Sequence, residues 1–370
     1  MSAHRLESVD VARGLAALSV FLYHYGAGPA LARITGYNFL GIISAPGAMI
    51  AVPLLVAISG FCIHLSSVSK GPSQWRPRNF LLHRFWRIYP AWLAAILVSV
   101  SVLAAAHEPP DLRLVLTHLA LVNGFFNNYR LNPVLWTVTL ESCLYFLYPL
   151  WLNVRWRYGL CVAIAMTFGC STASVVATAY LMTTPTGPSL WFFTNVWIGW
   201  VGGAVLAELW LDQAGEALRH LPWWTTGTVL LAVVVALSFP RTISERWTFV
   251  RMPLLIILCI WPLSGLLLIG ERMRRVRSTA LRLAWRGLAS VGVFSYSLFL
   301  LHVPLISARL LLDRSFTVGP LARSFEYGAW FAFILMVAWI CRRWIENPGI
   351  EIGRRLMAKA TQSTAHDAPF

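Results

Sequence analysis

The chain has 370 residues, of which 58% are hydrophobic and 12% charged, with a mean hydropathy of +0.64. Ordinary globular domains hold roughly 45–50% apolar and about 25% charged residues, so a soluble multidomain protein is excluded. Thirty basic against fifteen acidic side chains give a formal charge of +15; the arginines punctuate apolar blocks instead of clustering with aromatics on a polar face, which argues against nucleic acid as partner.

Ten apolar segments predict membrane-spanning helices over residues 9–27, 44–66, 88–106, 134–152, 158–182, 190–211, 223–239, 251–270, 288–310 and 325–345. Each matches the length needed for a hydrocarbon core of roughly 30 Å. The stretch 112–126 is apolar but too short to span. With the N-terminus placed in the cytoplasm, 21 of the 30 Lys and Arg side chains fall on that side, as short cytoplasmic loops require. The expected fold is therefore an all-α integral membrane bundle of about ten helices, with both termini cytoplasmic and anionic headgroups as the default partners of the surplus charge. Residues 1–356 form one transmembrane domain and 357–370 a short irregular tail. The first segment carries Asp10 and Arg13 and no convincing small-x-small cleavage site, so it is expected to stay in place. Six cysteines without CxxC spacing read as small buried hydrophobes, with no metal site.

Ionisable groups at membrane depth are costly and mark candidate function. The first helix, VDVARGLAALSVFLYHY, holds three. Asp10 and Arg13 are three apart on one face; His24 follows Arg13 by eleven residues, about 16 Å of rise on nearly the same face. The helix thus links an inner-surface cation to a deep imidazole. The second segment ends in SGF, Ser59 to Phe61. The loop after it, FLLHRFWRIYPAW, carries Arg84 and Arg87 on an amphipathic stretch at the inner interface, a pairing that suits bidentate binding of phosphate. Glu141 lies inside the apolar run LWTVTLESCLYFLYPLW with Trp136 and Tyr145 around it. Tyr296 and His302 lie in GVFSYSLFLLHVPL, and Glu346 in RRWIENPGIEIGRRL. Taken singly, each has a plainer reading: Arg13, Arg84 and Arg87 as interfacial anchors, His24 and His302 as hydrogen-bonded core histidines, Glu141 as half of a structural ion pair.

In their order, VDVARG with His24 eleven after Arg13, SGF, RxxRIYP, WxxxxE followed by YxxxP, SYSLxLxHxP and RxxExP resemble the acyltransferase-3 family of integral-membrane O-acyltransferases, over about residues 6 to 356. The resemblance implies transfer of an acyl group, acetyl foremost, from cytoplasmic acetyl-CoA or another acyl-CoA to a hydroxyl of a surface or exported glycan, a lipid-linked sugar or a related acceptor. It implies His24, Arg13 and Glu141 as catalytic residues and Arg84, Arg87 and Arg13 as the donor clamp. Asp10, Ser59, Gly60, Phe61, Trp136, Tyr145, Tyr296, His302 and Glu346 fall on further signature positions. The sequence departs from the family pattern at Thr137, where serine is usual, at Ser142, where a second acid often follows Glu141, and at Leu144, where an aromatic is usual. The expected setting is a bacterial inner membrane. The alternative of another class is a proton-coupled transporter or glycan exporter without transferase chemistry, since buried His, Glu and Arg also mark proton relays; no inverted repeat supports it.

Overall fold

Long runs of Leu, Ala, Val and Trp with few interior glycines satisfy their backbone polar groups best as helices, and in lipid a helix is one of only two ways to do so. The computed structural model describes residues 6–37, 39–126, 128–181, 190–212, 227–233, 247–273, 275–313 and 320–366. The regular elements among these are all helical. In chain order they are α1 (Glu7–His24), α2 (Ala27–Thr35), α3 (Phe39–Val68), α4 (Gly71–Gln74), α5 (Pro77–Ala105), α6 (Leu112–Leu119), α7 (Trp136–Tyr158), α8 (Leu160–Leu181), α9 (Trp197–Leu211), α10 (Trp247–Leu258), α11 (Ile260–Met273), α12 (Thr279–Asp313), α13 (Pro320–Cys341) and α14 (Asn347–His366). Two 3₁₀ turns, Asn123–Phe126 and Leu190–Val196, and one π-helical turn, Arg342–Glu346, complete the set.

Among the described residues, six stretches are long and apolar enough to cross a membrane: Gly47–Val68, Pro77–Ala105, Leu160–Thr178, Arg251–Met273, Thr279–Leu312 and Arg323–Ala358. The ten expected segments are thus supported in part. Segments 9–27 and 134–152 fold as α1 and α7, whose apolar runs are interrupted by charge, Glu7, Asp10 and Arg13 in one and Glu141, Arg155 and Arg157 in the other. Segment 190–211 divides into a 3₁₀ turn and α9. Of the segment expected over 223–239, residues 227–233 are helical and the rest lie outside the described residues, as do Arg5, Arg219, Arg241, Arg246, Arg274 and Arg314 of the charge count. The loop expected over 67–88 is a correction: it is helical from Pro77 onward, so Arg84 and Arg87 sit within α5. Pro77 at the first helical position starts that helix early. Residues 357–366 of the tail continue α14, and 367–370 lie outside the described residues.

The chain divides into two units, residues 1–73 with 140–295, and residues 74–139 with 296–370. In the first, α3 is the central helix and packs on α1, α2, α9 and α10. Its contact with α9 is reciprocal: a Cβ on Gly60 would lie 2.0 Å from the Trp200 carbonyl oxygen, and one on Gly203 would lie 2.1 Å from that of Ala57. A second crossing repeats the device, with Gly14 of α1 against the Leu288 oxygen and Gly292 of α12 against the Asp10 oxygen. Small residues let helices approach this closely where lipid offers no hydrophobic drive to associate. Gly60 and Gly14, both in signature blocks, are thereby explained as packing positions, and Phe61 is fully buried in the same core.

In the second unit prolines decide the contacts. Pro90 and Pro304 lie inside helices, where each removes an amide donor and frees the carbonyl four residues earlier. Asn132 Nδ2 donates to the freed Leu300 oxygen at 3.0 Å. Gly349 lies over the freed Trp86 oxygen, where a Cβ would stand at 2.9 Å, and Gly353 packs on the Trp86 ring. Arg309, counted among the outer-side charges, is 2% exposed, 3.4 Å from Glu326 and 3.8 Å above the Tyr327 ring.

Gly60→Ala and Gly203→Ala should each lower the thermal stability of the detergent-solubilised protein by about 1–3 kcal/mol, the cost of overpacking. Gly169→Ala, where nothing lies within 4 Å of the added methyl, should be neutral or slightly stabilising. Equal losses at all three positions would contradict the close approach of α3 and α9.

Candidate functional site

The first unit gathers one polar group from α1, α3 and α7. Asp10 and Arg13, three apart on α1, place Arg13 Nη1 at 3.7 Å from Asp10 Oδ1. Arg13 Nη2 donates to Cys62 Sγ at 3.4 Å. Ser59 and Cys62 share a face of α3 by the same three-residue spacing. On α7 the Tyr145 hydroxyl donates to Glu141 Oε2 at 3.0 Å and stands 3.3 Å from Ser59 Oγ. The Glu141 carboxylate is close enough for its charge to act on Arg13. The guanidinium thus stands against one carboxylate and a thiol, within electrostatic reach of a second carboxylate and a phenol. Such an arrangement can hold Arg13 charged in apolar surroundings and keep it in one position, which a lone buried cation cannot do.

The first helix departs from its expected extent, which the sequence reading runs to residue 27. α1 instead ends at His24, and the chain turns through Gly26 at φ +70° into α2. His24 therefore stands exposed at a helix end, its ring 5.5 Å from that of Tyr23 in an edge-on contact. It remains on the Arg13 face, about 16 Å along the helix.

The second unit gathers another group, from α5, α12 and the π-helical turn. Glu346 is 1% exposed; it accepts from Ser297 Oγ at 3.0 Å and pairs with Arg342. The charge of Arg87 also acts on it. The Tyr296 hydroxyl donates to the backbone oxygen of Ile88 at 3.2 Å, next to Arg87. The π-helical turn ends on Glu346 itself, and such widened turns recur where a side chain must be aimed. Arg84 and Arg87 are half-buried on α5, and the Arg84 guanidinium lies 5.5 Å from the Phe80 ring centroid, one turn back. His302 is fully buried and its Nδ1 is within hydrogen-bond reach of its own helix, 2.8 Å from the Phe299 oxygen; that supports a core histidine. Trp136 is half-buried at the start of α7. Thr137, the departure from serine, donates to the Val134 oxygen at 2.9 Å.

Near α6, His118 is fully buried, and burial pushes its imidazole below the ordinary histidine range. Its Nδ1 lies 2.7 Å from the Leu114 oxygen, so the neutral ring donates there.

The sequence reading missed Cys62, Ser297 and Arg342. Cys62 was expected to be an inert hydrophobe; its place three residues after Ser59 was the available signal. Of the six cysteines only Cys259 and Cys341 are buried, and Cys161 and Cys170 are exposed. Also missed was a buried group outside the signature blocks, formed by His64, Tyr148, Arg155 and Glu208.

Comparison with known families gives one match, to a model described as an acyltransferase domain, over residues 6–344. No curated protein and no solved structure matches the chain.

Removing one member of a buried ion pair leaves the other uncompensated, at a cost of about 3–5 kcal/mol. Glu346→Ala should therefore destabilise the purified protein far more than Ser297→Ala, which removes one hydrogen bond worth about 1 kcal/mol. Equal shifts in the unfolding midpoint would show that Arg342 and Arg87 do not depend on that carboxylate.

Proposed function

The chain belongs to the acyltransferase-3 family, and from that premise we propose that it moves an acyl group, acetyl foremost, from acyl-CoA to a hydroxyl of a surface or exported glycan or a related acceptor. The proposed setting is a bacterial inner membrane, crossed several times, with the donor taken from the cytoplasm. The observation that carries the reading is the family match over residues 6–344, reinforced by a group of Asp10, Arg13 and Glu141, buried or half-buried, in an otherwise apolar helix bundle.

The chemistry asks little beyond placement. A thioester is already activated, so the hydroxyl oxygen bonds to the acyl carbon, the carbon–sulfur bond breaks, and the hydroxyl proton passes through a base to the departing thiolate. Histidine suits that base because its ordinary pKa lies near working pH. We assign the role to His24, whose exposed position at the end of α1 leaves the imidazole open to a substrate. Arg84 and Arg87 are assigned to the donor phosphates, for which guanidinium groups provide paired donors. Arg13, held by Asp10 and about 16 Å along α1 from His24, is assigned with Arg84 and Arg87 to the donor clamp.

With purified protein, labelled acetyl-CoA and a glycan extract of the producing membranes, wild-type protein should release CoA and label the extract. His24→Ala should reduce turnover about 100-fold or more, the range for loss of a general base, with the unfolding temperature unchanged. Arg87→Ala should act mainly on the KM for acetyl-CoA, raising it about 10-fold, as expected for one charge-assisted contact. Movement of glycan across vesicles with no CoA release would favour the exporter reading instead.

A further inference from the structure

The group formed by His64, Tyr148, Arg155 and Glu208 lies outside every residue assigned above. His64 on α3 is fully buried; its Nε2 lies 2.8 Å from Glu208 Oε1, and its Nδ1 lies 3.1 Å from the Tyr148 hydroxyl. Arg155 binds the same carboxylate with two donors, Nε to Oε1 at 2.7 Å and Nη2 to Oε2 at 3.0 Å. An ionised Glu208 only accepts, so His64 Nε2 donates to it, and Nδ1 of the neutral ring accepts a hydrogen bond from the Tyr148 hydroxyl. Trp151 closes the group, 5.2 Å from the His64 ring in an edge-on contact and stacked with Tyr148 at 6.3 Å. Arg155 and Glu208 are each partly exposed, so the buried imidazole hangs from an ion pair at the edge of the unit.

This group shares two helices with the Arg13 group. On α3, His64 follows Gly60 by one turn and extends the face pressed on α9, while Ser59 and Cys62 point roughly 140° away, towards Tyr145 and Arg13. On α7, Glu141, Tyr145, Tyr148, Trp151 and Arg155 fall within about 120° of arc. α7 is therefore held to α3 at two heights along one polar face. Tyr145 with Ser59 makes the first hold, and Tyr148 and Arg155 with His64 and Glu208 make the second. A rigid helix held at one height can still rotate or tilt; held at two, it cannot.

We infer that His64 is a positioning residue: through Tyr148 and the Arg155–Glu208 pair it locks the rotation of α7, and so fixes Tyr145 and Glu141 against Ser59 and Arg13. The consequence for acyl transfer rests on the function proposed above, but the geometric claim does not. A helix rotation of about 10° would move the Glu141 carboxylate by about 1 Å, a displacement that costs about 100-fold in rate when a reacting group is misplaced.

The test reads Cys62, which sits in the Arg13 group and reports on it without any substrate. Full-length protein in detergent is treated with N-ethylmaleimide, and labelling is followed residue by residue by mass spectrometry. His64→Ala should speed labelling of Cys62 about 10-fold while leaving the exposed Cys161 unchanged. His64→Gln, which keeps a donor towards Glu208, should restore most of the protection. In turnover with acetyl-CoA and the membrane glycan extract, His64→Ala should lower kcat/KM for acetyl-CoA about 10- to 100-fold. The same substitution should add nothing in a Tyr145→Phe background. If His64→Ala fails to fold, Glu208→Gln carries the same measurements. Wild-type labelling of Cys62 in the folded variant, or an activity loss that adds fully to that of Tyr145→Phe, would overturn the inference. If wild-type protein releases no CoA while the labelling shifts as expected, the proposed function fails and the positioning role stands.

Discussion

A charged side chain inside an apolar helix bundle must find a counter-charge, because the effective penalty for removing a lone ion from water is several kcal/mol. That constraint places most of the polar side chains described above. Arg13 is met by Asp10 and Glu141, Glu346 by Arg342 and Arg87, Glu208 by Arg155 with a hydrogen bond from His64, and Arg309 by Glu326 and the face of Tyr327. Each cluster draws on more than one helix or helical turn, so satisfying the charge also fixes how those elements meet. Pairing thus does for the interior of this protein what apolar burial does for a soluble core.

The second constraint is steric. Helices with these pairs must approach closely, and glycine makes room for them. Gly60 and Gly203 bring α3 and α9 together, and Gly14 and Gly292 do the same for α1 and α12. Gly349 and Gly353 let α14 rest on Trp86 where Pro90 has already released a carbonyl. At each crossing one glycine lies close in sequence to a member of a polar group: Gly14 beside Arg13, Gly60 one turn before His64, and Gly349 three residues after Glu346.

Much of this was legible in the sequence, and the reasons differ from residue to residue. Helices were legible from apolar runs, and Glu141 from its isolation within one. The signature blocks were legible as a set, yet their sorting into two groups was not, since sequence order says nothing about which blocks share a unit. Glu208 meets the same criterion as Glu141, a carboxylate inside an apolar run, and the rule that singled out one applied equally to the other. The first helix was drawn too long because hydropathy does not register the left-handed turn at Gly26 that follows it. Arg84 and Arg87 were read as loop residues because charge density marks loops, whereas the stretch from Pro77 has a helix start and no helix breaker before Pro90. Asp10 beside Arg13 was legible too, from their three-residue spacing on one helix face.

These features describe an acyltransferase whose interior charges are placed by ion pairs. The central claim is that the protein adds an acyl ester to a glycan that other proteins make and export. Mass spectrometry of surface glycans from cells with and without this protein tests it most directly. The predicted result is the same glycan in both, lacking an acyl ester when the protein is absent. A glycan that keeps its ester, or one that disappears from the surface altogether, would contradict the account, and the second outcome would point to export.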